Sequence, residues 1–324
     1  MKLSIVATLY RSAASIVEFH ARAMAAAAGV ADEVEMILVN DGSPDDSLAL
    51  ALEIQARDPR VVVLDLARNF GHHKAMMTGL AHACGELVFL IDSDLEEPPE
   101  LLQRFHADMI AGDWDVVFGV QASRKGGVFE RVTGAAFFRL VEALSDQTLP
   151  RNVVTARLMR RDYVQALVQH RDREMQISHL WVLTGFRQHA LQIEKLSLSP
   201  STYSLRRKIE MAVKHITTTS TKLLYLVLYF GGAVCAGSLC FILYLVARYL
   251  THGVGVSGYT SLMVSVWFFG GATVLILGII GIYIANILSE VKRRPYTHMR
   301  AIYRVDPATG QPCARPQAGE EFML

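Results

Sequence analysis

The apolar run 87–91 ends in Asp92-Ser93-Asp94, and this pair is where chemistry is most legible in the chain. Side chains two apart in an extended segment share a face, so both carboxylates can reach one ion. A hard divalent cation takes oxygen ligands and lets a diphosphate approach carboxylates that would otherwise repel it. The residue types therefore point to a metal-bound phosphate ester. Polar groups follow other apolar runs in the same way: Thr8, Tyr10 and Arg11 after 3–7, Asn40-Asp41-Gly42-Ser43-Pro44-Asp45 after 34–39, and Arg68-Asn69-Phe70-Gly71-His72 after 61–64. An Asp in such a position can instead cap the next helix, which is the reading for Asp45 and an open alternative for Asp41. His72-His73-Lys74 looks like a metal cluster, but adjacent helical residues do not converge, so these histidines are expected to be exposed or capping.

For this chemistry the runs must be strands. Residues 3–7, 34–39, 61–64, 87–91 and 116–120 are short and rich in β-branched residues, with helix-forming stretches between most of them. That alternation predicts an α/β domain around a buried, mostly parallel sheet. Helices are expected over 15–28, over 44–56 with Pro44 in the first turn, and over 98–111 opened by Pro98-Pro99. Ligands of such sheets bind beyond the carboxyl ends of the strands, where the polar groups fall.

The second half differs in composition. Segments 223–250 and 262–288 each exceed the roughly 20 apolar residues that a helix needs to cross a bilayer. Arg206, Arg207, Lys208, Lys214 and Lys222 precede the first and Lys292, Arg293 and Arg294 follow the second, whereas the connector 251–261 has neither Lys nor Arg. The positive-inside rule then predicts an integral protein of the inner or plasma membrane with two spans and both termini cytoplasmic. The apolar run at the start is too short for a signal peptide, which agrees. Neither span has an Asp, Glu or Lys in its middle, which argues against a transporter. Gly231, Gly232, Gly237, Gly270, Gly271, Gly278 and Gly281 permit close helix contact, within the hairpin or in a homo-oligomer. Residues 203–221 have apolar positions at helical spacing among basic ones and read as a helix in the headgroup plane, or alternatively packed on the soluble domain. The expected organisation is a cytoplasmic domain over 1–200, a juxtamembrane amphipathic helix over 201–222, a transmembrane hairpin over 223–290 and a cytoplasmic tail over 291–324, mobile from 305 onward.

A net charge of +1 over 324 residues gives no case for nucleic-acid binding. Cys84, Cys235, Cys240 and Cys313 lack paired metal-ligand spacing and read as free thiols in a reducing compartment.

Taken in order, Asn40-Asp41-Gly42-Ser43-Pro44-Asp45, Arg68-Asn69-Phe70-Gly71, Asp92-Ser93-Asp94-Leu95 with Pro98-Pro99-Glu100, and Arg157-Leu158-Met159, followed by a basic segment and two spans, resemble the inverting glycosyltransferases that make polyprenyl-phosphate sugars. Dolichyl-phosphate mannose synthase and bacterial undecaprenyl-phosphate glucosyltransferases are of this kind, and the likeness covers about residues 1–300. The resemblance implies a GT-A (Rossmann-like) fold, a nucleotide-sugar donor, Mg or Mn, and transfer to a polyprenyl phosphate at the cytoplasmic face. It places Asp41 at the nucleobase, Thr8, Tyr10 and Asn69 around the nucleotide, Asp92 beside ribose and metal, and Asp94 on the metal. It assigns the acceptor phosphate to Arg124, Lys125, Arg131 and Arg157, with Arg206, Arg207 and Lys208 at the membrane.

Several positions depart from the family's pattern. Thr8-Leu9-Tyr10-Arg11-Ser12 replaces Pro-x-Tyr-Asn-Glu, Glu96 replaces a Gln, and Thr155 stands where many members carry an Asp proposed as catalytic base. A phosphate monoester is largely anionic near neutral pH, its second pKa being about 6, so the nucleophile needs positioning more than deprotonation. Arg11, His72, Glu96 and Glu97 could select among donors. Three alternatives stand beside this reading, the least favoured being a lipid-facing phosphatase or nuclease that would hydrolyse without sugar transfer. A processive polysaccharide synthase would carry Gln-x-x-Arg-Trp, whereas Gln176 to Trp181 has neither the spacing nor the Arg. A noncatalytic membrane scaffold would not need the Asp92/Asp94 pair.

Overall fold

The computed structural model describes residues 1–121, 152–172, 175–194, 220, 222–252, 258–292, 294–305 and 312–315. The chain forms two units, one of Met1–Gly126, Leu149–Thr202 and Arg294–Leu324, the other of Gly127–Thr148 and Tyr203–Arg293.

The first unit alternates strand and helix as expected: β1 (Lys2–Leu9), α1 (Ile16–Ala28), β2 (Glu33–Asn40), α2 (Ser47–Arg57), β3 (Val61–Leu66), α3 (His72–His82), β4 (Leu87–Leu90), α4 (Leu101–Gly112) and β5 (Val116–Gln121). After the undescribed stretch come β6 (Val153–Arg160), α5 (Arg161–Val168), α6 (Ile177–Leu183) and β7 (Gln188–Ile193), and the chain later returns with β8 (Met299–Val305) and β9 (Pro312–Arg315). The nine strands run in the order β7-β5-β6-β4-β1-β2-β3-β8-β9. The central block β4-β1-β2-β3 is parallel. The flanks are antiparallel where β6 meets β4 and β5 and where β8 meets β3 and β9.

Every residue of β1 from Leu3 to Leu9 is buried, because helices cover both faces of the sheet. On one face Leu3, Ile5 and Leu9 pack with Phe19 of α1, Leu38, Phe89 and Phe105 of α4. On the other, Val6, Ile37 and Leu90 pack with Met77 and Leu80 of α3, Tyr163 of α5 and Trp181 of α6. Burying one such side chain contributes about 1.5 to 3 kcal/mol, so the strand ends are held by a core that any loop movement must work against.

Two expectations change. Helix α2 starts at Ser47, not at Pro44, because Asp45 accepts hydrogen bonds from the Ser47 amide (3.2 Å) and hydroxyl (2.6 Å) and holds 43–47 as a turn. The segment expected as a tail contributes β8 and β9, where Tyr303, Ile302, Ala301 and Met299 face Val63, Leu64, Asp65 and Leu66 of β3. Composition hid β8, whose residues are half-buried or exposed and so need no long apolar run.

The second unit contains the helices α7 (Lys222–His252) and α8 (Tyr259–Val291), at the positions expected for the spans. Within α8, Phe268–Val291 is long and apolar enough to cross a membrane. The juxtamembrane segment 201–219, with Arg206, Arg207 and Lys208, lies outside the described residues.

Candidate active site

The carboxyl ends of β1, β2, β3 and β4 are adjacent in the sheet, which gathers the loops the sequence singled out. Thr8, second-last in β1, is 8 % exposed and its Oγ1 lies 3.0 Å from His72 Nδ1. The other ring nitrogen, Nε2, lies 3.2 Å from Asp92 Oδ1. His72, read from sequence as exposed or capping, thus bridges two predicted site residues at the head of α3. Burial opposes its charge, but the hydrogen bond and charge of Asp92, with Asp41 and Asp94 adding to them, hold its pKa above the ordinary value.

Asp41 is 2 % exposed and ties two loops together. Its Oδ1 accepts the Phe70 amide at 2.7 Å and its Oδ2 the Gly71 amide at 3.0 Å. It therefore holds the Arg68-Asn69-Phe70-Gly71 loop in place instead of capping α2. Burial pushes its carboxyl up, outweighing the two amide bonds that lower it. Behind it, Asn40 Nδ2 donates to Asp65 Oδ1 at 2.8 Å and the Ser43 amide donates to Asn40 Oδ1 at 3.2 Å. Gly42 makes this packing feasible: its φ is +59°, and a Cβ there would lie 2.5 Å from the Asn69 nitrogen. Asn69 and Tyr10 are exposed at the rim.

After β4, Asp92 is mostly buried, its side chain 19 % exposed, and Asp94 is exposed. Ser93 between them is buried and its hydroxyl is 2.8 Å from the Thr8 carbonyl and 3.0 Å from Ser12 Oγ, which fixes the loop against β1. Asp94 Oδ1 accepts the Glu96 amide at 3.0 Å, and Leu95 takes a positive φ of 62°. Strained backbone of this kind costs about 1 to 3 kcal/mol and tends to persist where geometry serves a ligand.

Three carboxylates, Asp92, Asp41 and Asp94, act on one imidazole, so this end of the sheet is anionic. A diphosphate would be repelled from it unless a cation intervened, and oxygen donors such as Asp92 and Asp94 suit a hard divalent ion. Among the described residues, no three His, Cys, Asp or Glu side chains form a complete metal cage. A small divalent ion is commonly held by one or two carboxylates together with substrate phosphates. The residues present fit that arrangement.

On the far side of β4, β6 carries Thr155 and Arg157. Thr155 is half-buried, and Arg157 is 1 % exposed. The Arg157 guanidinium lies over the Trp181 ring and donates to the Thr155 carbonyl at 3.3 Å and the Val154 carbonyl at 3.4 Å. Burial lowers its pKa to about 9, against the opposing influence of Tyr163 and Glu97. Glu97, expected in the donor pocket, is fully buried. Its carboxylate accepts the Thr155 amide at 3.3 Å and the Ala156 amide at 2.7 Å, so it ties the Asp92–Asp94 loop to β6. The sequence signals neither this tie nor the aromatic bed of Arg157, because both depend on the antiparallel pairing of β6 with β4. The predicted acceptor residues Arg124, Lys125 and Arg131 lie outside the described residues.

Comparison with known proteins follows the same lines. Residues 4–168 match the family described as Glycosyl transferase family 2. A protein of Mycobacterium tuberculosis described as "Putative glycosyltransferases" is 45 % identical over 312 residues, covering 96 % of this chain and 91 % of the relative. The undecaprenyl-phosphate 4-deoxy-4-formamido-L-arabinose transferase of Klebsiella pneumoniae is 29 % identical, covering 94 % of each. The SfII prophage-derived bactoprenol glucosyl transferase of Shigella flexneri is 29 % identical, covering 95 % of this chain and all of the relative, 100 %.

Proposed function

The chain belongs to glycosyl transferase family 2, and from that premise we propose that it transfers one sugar, with inversion, from a nucleotide-sugar donor to an undecaprenyl-type polyprenyl phosphate at the cytoplasmic face of the membrane. The observation that carries the reading is the Asp92/Asp94 pair at the end of β4, set with Asp41, Thr8 and His72 in one anionic cluster. The names of the relatives from Klebsiella and Shigella, which both specify a polyprenyl-type lipid, support the acceptor.

In this reading Asp41 and the loop it holds receive the nucleobase, with Thr8, Tyr10 and Asn69 around the nucleotide and Asp92 beside the ribose and metal. Asp94, with Asp92, would hold Mg or Mn. When bound, that ion supplies Lewis-acid stabilisation of the charge growing on the departing nucleoside diphosphate. His72 fixes Asp92 from the opposite side, and Glu97 sets the distance between the Asp92–Asp94 loop and Thr155.

The acceptor phosphate attacks the anomeric carbon from the face opposite the leaving group. Thr155 suffices in place of a carboxylate, because the phosphate is already anionic and needs orientation more than a base. Arg124, Lys125 and Arg131 are assigned to clamp it, since an Arg fork binds two phosphate oxygens. Arg157, buried against Trp181, supplies positive charge behind β6 instead of an exposed clamp. Helices α7 and α8 are assigned as two spans with both ends cytoplasmic, and Arg206, Arg207 and Lys208 as contacts to the headgroups.

The test is a transfer assay with purified full-length chain, undecaprenyl phosphate, Mn or Mg and a panel of nucleotide sugars, with lipid products identified by mass spectrometry. The expected product is the lipid phosphate carrying one sugar, with stoichiometric nucleoside diphosphate. Asp94→Ala is expected to keep the fold and lose at least a hundredfold in turnover, roughly 2.7 kcal/mol or more of transition-state stabilisation. Near-normal turnover of that variant at saturating metal would sink the metal assignment, and polymeric product would favour a processive synthase.

A further inference from the structure

The chain that leaves α8 makes a cluster of contacts which the proposed chemistry does not use. Because β8 runs antiparallel to β3, its first residues lie at the carboxyl end of β3, beside the proposed donor loop. The contacts begin just before the strand. The Thr297 hydroxyl lies 3.0 Å from that of Thr78, which itself donates to the Lys74 carbonyl at 2.9 Å in the first turns of α3. The His298 carbonyl accepts the Ala67 amide at 2.8 Å, and the His298 ring lies 6.1 Å from the Phe70 ring, centroid to centroid.

Arg300 completes the set. Its Nη2 donates to the Ala67 carbonyl at 2.9 Å, so Ala67 is held through both its backbone groups. Its Nη1 lies 3.6 Å from Asp65 Oδ2. Asp65 is the group that accepts from Asn40, and Asn40 in turn accepts the Ser43 amide. A continuous polar relay thus runs from β8 to both loops that flank Asp41. Beside the ladders that β8 shares with β3 and β9 along its length, these additional contacts gather at the ligand end.

We propose that Thr297, His298 and Arg300 are positioning residues for nucleotide binding: they hold the loop 67–71 from outside, so that its Phe70 and Gly71 amides meet Asp41 and its open side meets the nucleotide. The inference rests on the donor reading above and deepens it, since it makes the segment between the long helix α8 and the sheet part of what sets donor affinity.

The experiment measures binding of UDP, GDP and dTDP to the full-length chain in detergent with Mn, together with donor KM and kcat. Arg300→Leu and Thr297→Val are each expected to raise the nucleotide Kd and donor KM about three- to tenfold while kcat stays within about twofold, the scale of one hydrogen bond of about 1 kcal/mol. Arg300→Lys should recover part of the loss, and Arg304→Ala, at an exposed position farther along the same strand, should leave affinity unchanged. Wild-type chain that binds with variants that bind equally well overturns the inference alone. Wild-type chain that binds none of the three overturns the donor reading and the inference with it. A second measurement needs no variant. Binding and loop order are reciprocal, so nucleotide with Mn should slow amide hydrogen exchange across 298–302 as well as 67–71. Slowing at 67–71 only would overturn the coupling.

Discussion

Replacing Gly42 by Ala tests whether the 68–71 loop, proposed to receive the donor, is built as described. Gly42 has φ +59°, and an added Cβ would lie 2.5 Å from the Asn69 nitrogen, 2.6 Å from the Arg68 carbonyl carbon and 3.1 Å from the Arg68 Cα. These are backbone atoms, so no side-chain rotation relieves the overlap. Reaching ordinary contact requires the 68–71 loop to retreat by about 1 Å, and a left-handed Ala adds about 1 to 2 kcal/mol. The amides of Phe70 and Gly71, at 2.7 Å and 3.0 Å from the Asp41 oxygens, would then fall beyond hydrogen-bonding range. Charge-assisted bonds contribute about 1.5 kcal/mol each at the low end, which brings the total to about 4 to 5 kcal/mol. For a unit of this size that is about 10 °C in Tm, measured on the full-length chain in detergent. Gly71→Ala is the internal comparison. Gly71 has φ +99° with nothing within 4 Å of the added Cβ, so it pays backbone strain of about 1 to 3 kcal/mol without collision. Gly42→Ala should therefore melt lower than Gly71→Ala and bind nucleotide at least tenfold more weakly. Equal melting temperatures of the two variants, with equal nucleotide affinity, would refute the close approach of the two loops and the role given to Asp41.

Two further perturbations probe the charged groups around the cluster. His72 has a pKa raised above its ordinary value, so the stability it contributes is fully present below about pH 6.5 and is lost as pH rises through the raised value. In metal-free chain the Tm gap between wild type and His72→Gln should accordingly narrow from pH 6 to pH 8, and a gap that stays constant or widens would contradict the pairing with Asp92. Arg157 and Glu97 are both fully buried or nearly so, and the Glu97 charge favours the charged form of Arg157, so removing one takes away a favourable charge from the other. Arg157→Met is expected to cost about 3 to 5 kcal/mol by chemical denaturation, whereas Arg157→Met with Glu97→Gln should cost less than the sum of the single changes. Simple additivity would show that the two side chains act independently.

Much of the fold was legible because the central strands obey a local rule. Runs such as Leu3-Ser4-Ile5-Val6-Ala7 and Leu87-Val88-Phe89-Leu90 are buried on both faces, so burial alone spaces their apolar residues and marks where each strand ends. The polar residue that follows must then face the ligand end, and Asp41, Asp92 and Thr8 could be placed together without knowing a single contact. The antiparallel flanks obey no such rule. Strand β6 carries Thr155 and the buried Arg157 in its middle, where neighbours satisfy their polar groups, and β8 carries Arg300, which is solvent-exposed as well as bonded to Ala67. His72 is exposed, as read, but its two contacts were missed for a related reason. Its helical position does prevent it from meeting His73 around one ion, but the strand order brings Thr8 and Asp92 to its two ring nitrogens from elsewhere in the sequence. Spacing along a chain can exclude convergence within one element, whereas convergence across elements is decided by the order of strands in the sheet. In this protein that order puts the strand leaving α8 beside the 67–71 loop, where no periodicity in residues 294–305 would have placed it.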